Sequence, residues 1–75
     1  MSLRLPDVRS GQVVRVLEAL GFLRIRQSGS HATYRHPNGR WTIVSIHPGK
    51  TIPKGTLRKI IRDTGLTVDE FVELL

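Results

Sequence analysis

Two runs that alternate in character, "HATYR" (31–35) and "WTIVSI" (41–46), are separated by "HPNGR" (36–40), and this pairing constrains the fold more than any other feature of the chain. Strand side chains point to opposite faces in turn, so a period of two marks a half-buried strand. An Asn-Gly step between two such runs supplies the positive-φ residues of a tight hairpin. Asn38-Gly39 therefore joins two antiparallel strands. A two-residue turn there sets His36 opposite Trp41 as a packing partner at the hairpin end, a position that calls for no chemistry.

A third strand precedes the hairpin. "FLRIRQ" (22–27) sets Leu23 and Ile25 against Arg24 and Arg26, which reads as a half-buried strand with its arginines on the open face. Ser28 to Ser30 form the turn into His31. Before these strands, Val13, Leu17 and Leu20, with Val14 and Val16 beside them, recur at helical spacing. Ser10 is a candidate N-cap, and Gly21 with Phe22 reads as a helix stop in which Phe22 folds back on Leu17. The first helix is thus expected from about Ser10 to Leu20.

After the loop "HPGKTIPKG" (47–55), Leu57, Ile60 and Ile61 define a basic amphipathic helix from about Pro53, closed by Gly65. Lys54, Arg58, Lys59 and Arg62 fall on its outer surface. Thr67 and Glu70 have capping-box spacing, with Leu66 and Phe71 at the flanking staple positions. A short last helix beginning at Val68 is expected to pack Phe71, Leu74 and Leu75. The order α-β-β-β-α-α predicts an α+β fold, a three-stranded antiparallel sheet with helices on one face, similar in outline to the double-stranded-RNA-binding domain.

With 75 residues, only one Trp, one Tyr and two Phe, the chain has material for a single thin core built from Val, Leu and Ile, so residues 1–75 are expected to form one domain. Without cysteine it has no disulfide framework, thiolate metal site or cysteine nucleophile. Arg4, Pro6, Asp7 and Arg9 interrupt the apolar run a signal peptide needs, and no segment reaches membrane-spanning length, so a cytoplasmic protein without a membrane partner is expected.

Twelve Lys and Arg against six Asp and Glu give a net charge of +6, and the distribution is uneven. No acidic residue lies between Glu18 and Asp63, whereas Arg24, Arg26, Arg35, Arg40, Lys50, Lys54, Arg58, Lys59 and Arg62 all do. Segregated positive charge is what phosphate binding through counterion release exploits, and RNA is the polyanion expected.

The residue chemistry narrows the reaction. A divalent-metal nuclease needs converging carboxylates, and the middle of the chain has none. Zinc is disfavoured because His31 and His36 are an odd number of residues apart on one strand, and His47 lies beyond the next. No metal or other cofactor is therefore expected. Metal-free RNA cleavage asks for less: a base takes the 2′-hydroxyl proton, the oxygen attacks the adjacent phosphate, and cations balance the developing charge. His31 follows a Gly29-Ser30 turn that allows close approach to a ribose-phosphate, and Arg24, Arg26, Arg35 and Lys50 are candidate phosphate binders. On residue chemistry alone, His31 as an exposed structural histidine remains an alternative. Tyr34 is read as core rather than as a stacking platform. His47 is read either as approaching phosphate or as capping its loop.

The segments "LEALGF", "RQSGSHATYRHPNGR", "VSIHPGK" and "IPKGTLRKIIRDTGLTVDEFVELL" resemble the HicA, or YcfA-like, family of small mRNA-cleaving toxins from toxin-antitoxin pairs, in order and without insertions from Leu5 to the C-terminus. The family's Gly-Ser-His falls on Gly29, Ser30 and His31, and its following aromatic on Tyr34. Its His-Pro-x-Gly-Arg turn falls on His36, Pro37, Gly39 and Arg40, and its loop histidine and Gly-Lys on His47, Gly49 and Lys50. Ser45 departs from the pattern, standing where many members carry proline before the loop histidine. The resemblance implies a dsRBD-like fold and metal-independent ribonuclease activity on mRNA. It also implies His31 as the catalytic residue and a HicB-type antitoxin that covers the site. A non-catalytic double-stranded-RNA-binding module is the rival reading, and a basic face serving only to bind an acidic protein is a third.

Overall fold

A computed structural model describes residues 5–75; Arg4, used above against a leader, lies outside them. Helix α1 (Ser10–Ala19) is followed by strands β1 (Leu23–Ser28), β2 (His31–Arg35) and β3 (Trp41–Ser45), then by helices α2 (Lys54–Thr64) and α3 (Val68–Glu73). The strands form one antiparallel sheet in the order β1-β2-β3, as expected for the α+β arrangement. None of the described helices is long and apolar enough to cross a membrane.

Helix α1 starts one residue earlier than a Ser10 cap would require. The Ile52 N–H donates to the Val8 carbonyl at 2.7 Å and Arg9 forms a β-bridge with Thr51, which holds the chain extended through Arg9. Arg9 is therefore the N-cap, its N–H donating to Gln12 Oε1 at 2.9 Å, and Ser10 is a buried first-turn residue. At the other end the Phe22 N–H reaches the Leu17 carbonyl at 2.9 Å and the Gly21 N–H the Glu18 carbonyl at 3.0 Å. This is the Schellman pair, and it needs the left-handed φ of 97° that Gly21 adopts. Phe22 is thereby turned into the core above Leu17.

Ala32, Tyr34, Thr42 and Val44 alternate onto the sheet face that meets the helices and are all buried. They join Val13, Leu17, Phe22, Leu57, Ile60 and Phe71 in one core. Tyr34 is thus a core residue, as read from the sequence. The buried Thr42 hydroxyl donates to Asp63 Oδ2 at 2.9 Å, which also accepts from Lys59 Nζ at 2.9 Å, so one carboxylate links β3 to the face of α2. On α2, Arg58 and Arg62 are exposed, while Lys54 turns to the N-terminal segment and contacts Asp7 Oδ1 at 2.8 Å and the Leu5 carbonyl at 3.0 Å. The Thr67–Glu70 capping box forms with both of its hydrogen bonds and opens α3 at Val68.

Three local expectations are corrected. All of β1 is exposed, because the two main helices pack over β3 and leave this edge strand uncovered. Leu23 and Ile25 lie on the open face, Arg24 turns to the helix side, and a bulge between Arg24 and Arg26 swings Arg26 onto the open face as well. The hairpin loop has three residues: His36 N–H donates to the Arg40 carbonyl at 2.8 Å and Gly39 N–H to the His36 carbonyl at 2.9 Å, so Trp41 pairs with Arg35 and not with His36. In a two-residue turn Pro37 would face Arg40 in a hydrogen-bonded pair, and proline has no N–H to donate. At the C-terminus Phe71 is buried but Leu74 and Leu75 are exposed, since α3 ends at Glu73 and carries them past the core.

Candidate active site

The β1–β2 connection is built from Gly29 and Ser30 alone, because Ser28 and His31 are already cross-strand partners. Gly29 has a φ of 57° and no non-glycine residue among those described has a positive one, the pattern of a II′ turn with glycine first. The Ile46 N–H donates to the Ser30 carbonyl at 2.7 Å, tying this turn to the end of β3. His31 is consequently the first residue of a strand paired on both sides, held where its backbone has little freedom while its side chain is exposed.

Strand pairing arranges the open face in three rows. Ser28, His31 and Ser45 form the first; Arg26, Thr33 and Ile43 the second; Leu23, Arg35 and Trp41 the third. Successive rows are about 7 Å apart, two residues along a strand. The shallow concavity on this face is lined by His31, Arg26, Arg35, Ser28, Thr33, Ile25, Trp41, Ile43 and Gly39, and no carboxylate is among them.

The predicted site residues are therefore divided. His31, Arg26 and Arg35 share the open face, with Gly29 and Ser30 forming the turn at its end. Arg24 is on the other side of β1, where its Nη1 donates to Gln27 Oε1 at 2.9 Å. Lys50 lies in a separate cleft with Ser45, His47, Thr51, Ile52 and Thr56. His47 is exposed and its ring forms no hydrogen bond among the described residues, so it does not cap its loop; only its carbonyl is engaged, by the Lys50 N–H at 3.1 Å. Sequence reasoning missed Trp41 and Ile43 as members of the His31 face. The alternation of β3 from Trp41 to Ser45 carries that signal, because it gives both residues the parity of Ser45, the partner of His31.

His36 is occupied elsewhere. Its Nδ1 accepts from the Asn38 N–H at 3.0 Å, so the ring is neutral with its proton on Nε2, which donates to the Leu20 carbonyl at 3.0 Å. The ring also meets Phe22 edge-on with centroids 5.1 Å apart. This histidine pins the hairpin to the end of α1. Tyr34 faces the helix side, where burial pushes its hydroxyl pKa up, Arg24 opposes the shift and Glu18 adds to it. Among the described residues no group of three His, Asp or Glu side chains converges as a metal site.

The family model described as the HicA toxin of bacterial toxin-antitoxin systems matches residues 10–66. The chain belongs to the HicA toxin family. No curated protein matches it. The matched span begins with α1 and ends just after α2, so it contains the sheet, both hairpins and every residue of the His31 face. It stops short of α3, whereas the resemblance read from the sequence ran on to the C-terminus. As a HicA family member the protein is the toxin half of a pair, which implies a cognate antitoxin.

Proposed function

We propose that the protein is a metal-independent endoribonuclease that cleaves mRNA at the His31 face. The observation that carries this reading is an exposed imidazole on a rigid, doubly paired strand, sharing one acid-free surface with Arg26 and Arg35. His31 takes the proton of a ribose 2′-hydroxyl. The oxygen attacks the adjacent phosphorus, the bond to the 5′-oxygen breaks, and that oxygen takes up a proton, leaving a 2′,3′-cyclic phosphate and a 5′-hydroxyl end. Arg26, one row away, is the cation placed to balance charge on the phosphate, and Arg35, two rows away, holds the chain further along. Gly29 and Ser30, with no bulky side chain at the turn, let the backbone approach the His31 end of the face. Arg24 and Lys50, outside this face, extend the positive surface on either side.

Family membership supports a toxin role, and a free ribonuclease in the cytoplasm would harm its host. An antitoxin of the HicB type that covers His31 and the neighbouring arginines answers that need, and the +6 charge would speed its association with an acidic partner.

The test is a cleavage time course on a defined RNA with the parent, His31→Ala and His47→Ala proteins, each checked for folding by circular dichroism. A general acid-base group contributes about 10²- to 10⁴-fold in rate, so His31→Ala should lose activity on that scale while retaining most RNA affinity. EDTA should not inhibit the parent. Full activity in a folded His31→Ala protein refutes the assignment, and a folded parent that binds but never cuts RNA identifies a non-catalytic binding module instead.

A further inference from the structure

The face that carries His31 is apolar at its other end. Leu23 is 67% exposed, Ile25 58%, Trp41 55% and Ile43 43%, on a chain that has only one tryptophan. Core demand does not explain these side chains, since the helices cover the opposite face. They are also not an isolated greasy patch: Arg35 is the direct cross-strand partner of Trp41, Arg26 stands beside the bulged Ile25, and no carboxylate lines the concavity. An aromatic ring with guanidinium groups beside it suits a nucleotide, whose base has a flat π face and whose phosphate is anionic.

Resting on the ribonuclease reading above, we infer that this surface is a platform for single-stranded RNA, on which Trp41 stacks one base of the strand that His31 cuts. Trp41 lies two rows from His31, about 13 Å along the strands. A base stacked there belongs to a nucleotide near the scissile phosphate, with its own phosphate beside Arg35 and the scissile one between His31 and Arg26. Ile43 and Ile25 floor the path between them. The geometry selects the substrate's conformation: in a duplex each base is stacked on both sides and offers the ring no free face, so only an unpaired strand can use Trp41. The platform is a positioning and selectivity device, and it separates this use of the fold from recognition of double-stranded RNA by shape.

The single tryptophan makes the test direct. His31→Ala protein, which leaves the RNA intact, is titrated with a short unstructured RNA oligonucleotide and, separately, with the same strand annealed to its complement. Emission of Trp41 and polarisation of labelled RNA are both followed. The single strand should quench Trp41 and bind more tightly than the duplex. Trp41→Ala in the same background should weaken single-strand binding about 5- to 100-fold, and Trp41→Phe should restore most of it. Single-strand binding that leaves Trp41 emission unchanged, equal affinity in the Trp41→Ala protein, or preference for the duplex each overturns the platform. It is also overturned if Trp41→Ala breaks a dimer seen by sedimentation, or abolishes capture of the purified antitoxin, while RNA affinity stays the same, since the face is then a protein interface. Cleavage by the parent is scored separately. Quenching without cleavage leaves the platform standing and removes the ribonuclease reading, whereas cleavage without quenching does the reverse.

Discussion

His36→Ala should unfold this protein at markedly lower temperature without removing its chemistry, the opposite of what is expected for His31→Ala. The substitution deletes the Nε2–H bond to the Leu20 carbonyl, at 3.0 Å in a partly buried setting, a loss of about 0.5–1.5 kcal/mol. It deletes the edge-on contact with Phe22, at 5.1 Å between centroids, for which about 0.5 kcal/mol is a fair share because imidazole is the smaller ring. Removing a half-buried ring forfeits roughly 1 kcal/mol of burial. The Asn38 N–H is exposed and turns to water at little cost. The total is about 2–3 kcal/mol, against a stability of roughly 4–11 kcal/mol for a chain of this size, or about 8–24 °C in Tm. Urea melts read the loss as a fall in midpoint at constant m. Gly21→Ala supplies a second arm, because a Cβ there would meet His36 Nε2 at 3.1 Å in a backbone with φ of 97°. It should cost about 1–2 kcal/mol alone, and the double variant should lose less than the sum, since the neighbour the Cβ meets is gone. A loss below about 1 kcal/mol in His36→Ala would refute the pinning role. So would loss of cleavage with stability unchanged, which would move His36 into the site.

Replacing Arg26 and Arg35 together by alanine should lower the slope of log affinity against log salt for single-stranded RNA by about 1.4, and an unchanged slope would count against the sheet face. Burial raises the Tyr34 pKa above its ordinary value of 10.0, so the fold favours the neutral phenol. That contribution is complete below pH 10 and is lost as pH rises through the folded-state value, so urea midpoints should fall more steeply with pH in the parent than in Tyr34→Phe. Thr67→Ala removes the reciprocal cap of α3 and should lower stability by about 1 kcal/mol, or roughly 4–8 °C in Tm, with RNA binding unaffected.

Most of the element order was legible from local signals: the spacing of Val13 and Leu17, the Gly21-Phe22 stop, the Gly65 stop and the Thr67–Glu70 box each act within a turn or two of chain, so neighbours in sequence determine them. The family and the position of His31 beside a Gly-Ser turn were legible for the same reason. Partners distant in sequence were not. The Val8–Arg9 segment pairs with Thr51–Ile52 and moves the cap from Ser10 to Arg9. The alternation of Leu23 and Ile25 with arginines is real, but period two says only that the two sets face apart; the helices decide which face is covered, and they lie over β3. One bulge then places Arg26 with Ile25. The His31 face, with Arg26, Arg35 and Trp41 on it and Arg24 and Lys50 off it, therefore depends on cross-strand register and on where a small core runs out, which are properties of the assembled sheet and not of any single stretch of sequence.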